Sequence, residues 1–161
     1  MRLTVLILED EPPVREALQR DLAPFAATVR VEVAEDVPDA WQVVEEVDHD
    51  GDLLALVLAD HRLPGASGVD FLVQLHDDPR TVDSAKVLVT GQADQRDTIR
   101  AVNEAALDHY IAKPWDAEEL RAVVREQLTD VVIARRLDPL PHLRALDAAR
   151  ALPLLRDRGD S

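Results

Sequence analysis

There is no cysteine in this chain of 161 residues. Disulfides are therefore excluded, and with them zinc sites built on thiolates. Positive charge is scarce: 18 Lys and Arg stand against 32 Asp and Glu, a formal net charge of −14. A field of that sign repels nucleic acid and anionic membrane surfaces, so no direct nucleic-acid contact and no membrane contact are expected, a local basic patch aside. The longest apolar runs fall far short of a membrane span. The opening residues MRLTVLILEDEPP hold a short apolar run, but acids follow it rather than a small-residue cleavage site, so a cytoplasmic protein is expected. Neither Gly-x-Gly-x-x-Gly nor a P-loop lysine is present, which argues against a nucleotide or flavin binder. Aromatics make up only 3% of the chain, and Trp41 and Trp115 read as packing residues rather than stacking platforms. What remains is 47% hydrophobic and 31% charged, ordinary for a soluble globular protein and long enough for one domain with a real core plus an appendage.

The chain is organised around LLALVLADHRLPGASG, residues 53–68. An apolar run stops at one carboxylate, Asp60, and turn residues follow at once: Pro64, Gly65, Ser67 and Gly68. A run this short between breakers reads as a strand buried on both faces, with Asp60 at its C-terminal end. That edge is where open α/β sheets bind ligands, although Asp also simply starts turns.

The same grammar recurs along the chain. Residues 3–8 form a first strand that stops at Glu9, Asp10 and Glu11, and Pro13 fits the first turn of the helix after it, with Val14, Ala17, Leu18 and Leu22 as its buried stripe. Residues 28–33 alternate as a strand with Val29, Val31 and Val33 on one face, and 37–47 follow as a helix. A short helix over 69–75, a strand over 86–90, a helix over 94–106 with Ile99, Val102 and Ala106 inward, a strand over 109–112 and a long helix from 116 to about 136 complete the order. Strict alternation of strand and helix predicts a parallel sheet with helices on both faces.

All parallel strands end on one side of the sheet. Glu9, Asp10, Asp60, Thr90 and Lys113 stand at four of those ends, so carboxylates, a hydroxyl and an ammonium converge on one rim. Three adjacent acids suit a solvated helix N-terminus or, alternatively, a hard divalent cation with oxygen ligands. Lys113 supplies a point charge for an anion, Thr90 a hydrogen bond, and Gly91 a backbone N–H and room for an approaching group. A cation, a carboxylate nucleophile and two anion donors together describe phosphoryl transfer onto Asp.

The motifs LILEDEP (6–12), LVLADHRLPGASG (56–68), KVLVTG (86–91) and DHYIAKPW (108–115) resemble those of bacterial response-regulator receiver domains, in order and correctly spaced. The likeness covers residues 1–128, roughly four-fifths of the chain. It implies a flavodoxin-like, doubly wound α/β fold: a five-stranded parallel sheet in the order 2-1-3-4-5. It implies that Asp60 is the phosphoacceptor of a two-component phosphorelay, that Mg²⁺ is bound by Asp10, Asp60 and the main-chain carbonyl of Arg62 with Glu9 acting through water, and that Lys113 pairs with Asp60 and then with the phosphoryl group. Thr90 and Tyr110 match the family's switch pair, and Pro114 follows the lysine through a bond that is usually cis. The implied partners are a sensor histidine kinase or phosphotransfer protein and a downstream protein target met by the face of the fourth helix, fifth strand and fifth helix. The implied chemistry is the receiver's own phosphorylation and dephosphorylation, not turnover of an outside substrate. A receiver-like scaffold without turnover and an Asp-based phosphatase are the alternatives; the latter wants a second acid at the position held by Arg62.

Glu9 stands where Asp is more usual and Gly91 where Ala is more usual, while Arg62 and Gln92 occupy positions that tune phosphoryl lifetime in the family. The five His residues, 49, 61, 76, 109 and 142, show no ligand spacing, and the side chain of His61 is expected to face away from that of Asp60. Residues 1–136 read as the receiver and 137–161 as a helical tail with no separate output domain. In the tail, Leu143, Leu146, Ala149 and Leu152 fall on one helix face, fitting either a frayed end or a helix docked on the receiver or on a second subunit of a homodimer.

Overall fold

The computed structural model describes residues 1–91 and 95–159. Five strands, β1 (Leu3–Leu8), β2 (Val29–Ala34), β3 (Leu53–Asp60), β4 (Ala85–Thr90) and β5 (His109–Ala112), form one parallel sheet in the order β2-β1-β3-β4-β5. The alternation of elements predicts the parallel sheet with helices on both faces, and the order is the one the family resemblance implies. The helices are α1 (Pro12–Leu22), α2 (Val37–His49), α3 (Gly68–Asp77), α4 (Gln95–Glu104) and α5 (Ala117–Ala134). A two-residue antiparallel ribbon, Arg62–Leu63 against Ala66–Ser67, turns on Gly65 at φ 74° between β3 and α3.

Local chemistry explains where the helices begin. Asp36, Ser67 and Asp116 each accept a backbone N–H from the first turn of α2, α3 and α5. Two prolines open α1 without a side-chain cap. The sheet is covered on both faces. Leu18, Leu22, Leu120, Val124 and Leu128 of α1 and α5 pack on Val5, Ile7, Leu56 and Leu58. Val43, Val44, Phe71, Leu72 and Leu75 of α2 and α3 pack on Leu6, Leu8, Val57 and Ala59. Each such side chain contributes about 1.5–3 kcal/mol on burial, so the strands that present the rim are the best-anchored part of the chain. Trp41 meets Phe71 edge-on at 5.5 Å and its indole N–H donates to Gln74, while that of Trp115 donates to Asp21. Both are packing residues.

Three sequence expectations change. Helix α4 does not bury Ile99 and Val102, each of which is 53% exposed; Ala101 and Ala105 face inward instead. Ala106 leaves the helix altogether, at φ 52°, so that the Leu107 N–H closes onto the Ala101 carbonyl. The expected start of that helix at Asp94 lies outside the described residues, as does Gln92. The tail is not one helix. It is a 3₁₀ segment (Leu140–Ala145) and two short helices, α6 (Ala148–Ala151) and α7 (Pro153–Gly159); the first break falls where Leu146 turns extended and Asp147 caps α6, and Pro153 opens α7. Ala145, Leu146 and Ala151 are buried in the α1/α5 core, whereas Ala149 and Leu152 are exposed. Arg125 donates to the carbonyls of Arg144 and Leu146, the Asp147 N–H donates to Thr129, and Arg150 pairs with Asp130. The tail thus docks on its own α5.

One buried charge has no sequence signal. Lys86 begins KVLVT as if at a solvent-facing strand end, yet it is 1% exposed, with its ammonium donating to the carbonyls of Val82 and Ser84. Among the described residues no helix is long and apolar enough to cross a membrane.

Candidate functional site

Strand register builds the site. Leu8 pairs with Ala59 and Asp60 with Val89, which sets Glu9, Asp60 and Thr90 at neighbouring strand ends; Thr90 pairs with Ala112, and Lys113 follows. The Lys113 N–H donates to the Thr90 carbonyl at 3.1 Å, which fixes the start of the lysine side chain. The Lys113–Pro114 bond is cis, as the family resemblance implies.

The side chains meet as charge requires. Lys113 Nζ donates to Glu9 Oε2 at 3.0 Å and lies 3.4 Å from Asp60 Oδ1. Glu9 is 1% exposed, Asp60 8% and Thr90 2%; Asp10 is half-buried. Glu9 is therefore no member of a solvated helix N-terminus. Its oxygens accept from Lys113 and from the Glu11 N–H, and its own carbonyl accepts from Arg15. Burial, joined by the nearby Asp60 charge, holds the Glu9 carboxyl above its usual range despite the lysine. Burial acts on the Lys113 ammonium in the opposite sense, but Glu9 and Asp60 together outweigh it and leave that group above its ordinary value.

Carboxylate oxygens of Glu9, Asp10 and Asp60 all lie within 4.8 Å of one another. Acids this close, with a single ammonium between two of them, repel unless a further cation joins them. Hard oxygen donors of this number suit Mg²⁺. The cluster opens into a cavity of about 460 Å³ lined by Asp10, Glu11, Val14, Asp60, Arg62, Thr90, Gly91 and Lys113. Arg62 is exposed at its mouth. The structure therefore brings together Glu9, Asp10, Asp60, Arg62, Thr90 and Lys113.

Tyr110 stands below this rim. It is half-buried against the α2/α3/α4 core, and its hydroxyl donates to the Thr90 carbonyl at 3.5 Å, a weak contact at the limit of hydrogen bonding. The two glycines behave differently. A Cβ on Gly68 would fall 1.8 Å from the Asp60 carbonyl oxygen, so the close approach of α3 to the end of β3 needs a glycine there. A Cβ on Gly91 would meet nothing nearer than the Lys113 Cβ at 3.7 Å, so the room expected of Gly91 would remain with an alanine.

Two contacts near the rim were not read from sequence. Arg15 secures the Glu9 main chain, and His61 Nε2 lies 2.8 Å from Asp97 Oδ2 on α4. His61 is thus engaged with α4 and not with the acids. Neither pairing has a local sequence signal, since each joins residues of ordinary spacing through the tertiary fold.

The profile of the response regulator receiver domain matches residues 5–125. The hydrogenase transcriptional regulatory protein HoxA of Cupriavidus necator is 31% identical over 155 residues, 96% of this chain but 29% of the relative. Response regulator Rre1 of Synechocystis is 31% identical over 78% of this chain and 52% of the relative, and the phosphate regulon transcriptional regulatory protein PhoB of Escherichia coli 30% identical over 87% and 55%. The chain thus spans about half or less of the length of these relatives. Among solved structures, the signal receiver domain of an HD domain-containing protein from Pseudomonas fluorescens superposes with a TM-score of 0.71 at 25% identity, covering 81% of this chain and 98% of that one. A CheY-like receiver domain protein from Methanospirillum hungatei gives the same TM-score at 23% identity, a likeness of fold, over 83% of this chain and 99% of that one.

Proposed function

The chain belongs to the response regulator receiver family, and on that premise we propose that Asp60 is the phosphoacceptor of residues 1–136, with Lys113 and Thr90 serving the transfer. Receivers act in two-component signalling as phosphoacceptors rather than as enzymes turning over an outside substrate. The observation that carries the assignment is the single ammonium of Lys113 shared by Glu9 and Asp60 at the head of the acid-lined cavity.

The step follows from these groups. An Asp60 carboxylate oxygen attacks the phosphorus of a phosphohistidine on a sensor kinase or phosphotransfer protein. The new O–P bond forms as the P–N bond breaks, and the leaving imidazole keeps the electron pair and is protonated from solvent. Lys113 faces the charge that gathers on the phosphoryl oxygens. Glu9, Asp10, Asp60 and the Arg62 carbonyl would hold Mg²⁺, which supplies further neutralisation of that charge when bound. Release to water regenerates Asp60, and the guanidinium of Arg62 at the cavity mouth sets how readily water enters.

An aspartyl phosphate carries about −1.5 to −2 charge where Asp60 carried −1. The Thr90 hydroxyl turns towards it. Tyr110, hydrogen-bonded to the Thr90 carbonyl, then moves inward into the space vacated. The outcome is a population shift on the face of α4, β5 and α5, where Ile99 and Val102 stand exposed for a downstream protein or a second copy of the chain. Residues 137–159 act as a docked appendage of the receiver.

The test is intact mass after incubation with acetyl phosphate and Mg²⁺. Wild type gains one phosphoryl group, loses that gain with chelator, and Asp60→Asn gains none. Release of phosphate without any adduct would favour a phosphatase instead, and no gain with no release would favour a scaffold.

A further inference from the structure

His61 follows directly on Asp60, and its side chain reaches across to α4. Its Nε2 stands 2.8 Å from Oδ2 of Asp97, with the imidazole 14% exposed and the carboxylate 35%. The main chain beneath this contact has no slack. The His61 carbonyl accepts the Gly68 N–H at 2.8 Å, and the Asp60 carbonyl occupies the place of a Gly68 side chain. The segment that carries Asp60 is thus locked to α3 and grips α4 through the His61 side chain.

Helix α4 packs on the core through small side chains. It turns inward Ala101 and Ala105, small side chains with little area to bury, and leaves Ile99 and Val102 in solvent. Its ion pair to α3, Arg100 with Asp70 at 2.6 Å, joins side chains that are 41% and 44% exposed, where water screens most of the attraction. His61–Asp97 is more buried than that pair. It is also imperfect. His61 Nδ1 is buried with no hydrogen-bond partner, so this arrangement carries an unsatisfied group that another placement of the ring could relieve.

We propose that the His61–Asp97 bond is a latch that holds α4 in its unphosphorylated placement and opens when Asp60 is phosphorylated. The proposal rests on Asp60 being the phosphoacceptor. Tyr110 packs against the core that holds Ala101 and Ala105, so its inward turn after the Thr90 hydroxyl moves shifts α4. His61 stays fixed with β3 and α3. A hydrogen bond between a moving and a fixed body weakens steeply once its distance and angle depart from the bonded range. His61 is a positioning residue in this reading; it touches neither phosphorus nor metal.

The test uses the whole chain with His61→Leu, Asp97→Ala and the double variant. Hydrogen exchange of the α4 amides is followed without phosphodonor, and the initial rate of phosphorylation with acetyl phosphate and Mg²⁺ by intact mass. The latch predicts that either single change speeds α4 exchange about fivefold or more, that the double change adds little further, and that the phosphorylation rate rises with it. Exchange in α1 and α5 stays as in wild type, and Arg100→Gln, which breaks the exposed pair, moves neither readout. Unchanged α4 exchange, additive single effects, or slower phosphorylation would each overturn the latch. Failure of the underlying assignment has its own signature, uptake of phosphoryl by Asp60→Asn, and the release half of the proposal would fall with it.

Discussion

Lys113 donates a 3.0 Å hydrogen bond to Glu9, a residue 104 positions away in sequence. The pairing exists because β1 and β5 both end at the same edge of one parallel sheet. It neutralises the most buried acid of the rim and leaves the ammonium within reach of Asp60 at 3.4 Å.

Removing the ammonium strands that acid. Lys113→Met leaves Glu9 buried beside Asp60 without a counter-charge, and stability falls by about 3 kcal/mol, the low end for a broken buried pair because a carboxyl with a raised pKa can take up a proton. Mg²⁺ restores part of the loss, since it supplies the missing charge. Urea unfolding of both proteins, with chelator and with Mg²⁺, checks this; a loss of equal size in both conditions would count against the acids as a cation site.

The two rim glycines separate close packing from free space. Gly68→Ala drives a Cβ into the Asp60 carbonyl and destabilises the chain by about 3 kcal/mol or more, while Gly91→Ala changes stability by no more than about 0.5 kcal/mol. Chemical denaturation ranks them directly. A tolerated Gly68→Ala would mean that the end of β3 and the start of α3 are less tightly joined than the structure has them.

The docked tail carries a pH dependence of its own. His142 is 4% exposed, and burial first, then the chain's amino terminus, push its pKa below the ordinary 6.5, with Asp138 opposing. A depressed histidine favours the folded state while neutral. Its contribution is fully present above the unfolded value near 6.5 and is lost as pH falls below it through the lower folded value. His142 therefore withdraws its share of stability as pH falls from about 7.5 to 5.5, and His142→Asn removes that share. Unfolding curves at the two pH values measure it, and an unchanged difference would remove His142 as the cause.

The limits of β1, β3 and β5 were legible to the residue. Each is a short apolar or aromatic run stopped by a charge or a turn former, and strand ends carry the rim. The buried stripe of α5, Leu120 through Val131, was legible from its three- and four-residue steps. The inward face of α4 was not, because size misled: Ile99 and Val102 are the larger apolar groups, yet Ala101 and Ala105 form the side that packs. In the tail, leucine spacing suggested one helix where an extended Leu146 and the Asp147 cap divide it. Lys86 hid in a strand motif, since main-chain carbonyls that satisfy an ammonium leave no mark on the sequence. The solvated reading of Glu9 failed for a related reason: only the fold brings the lysine that permits its burial.

The most direct test of the central claim is chemical trapping of the acyl phosphate. Protein phosphorylated with acetyl phosphate and Mg²⁺ is treated with borohydride, which reduces an aspartyl phosphate to homoserine, and its peptides are mapped by mass spectrometry. The account predicts homoserine at position 60 alone, and none in protein that met no phosphodonor. Homoserine at Asp10, a reduced glutamyl product at Glu9, or a phosphoryl group retained on one of the histidines would contradict it.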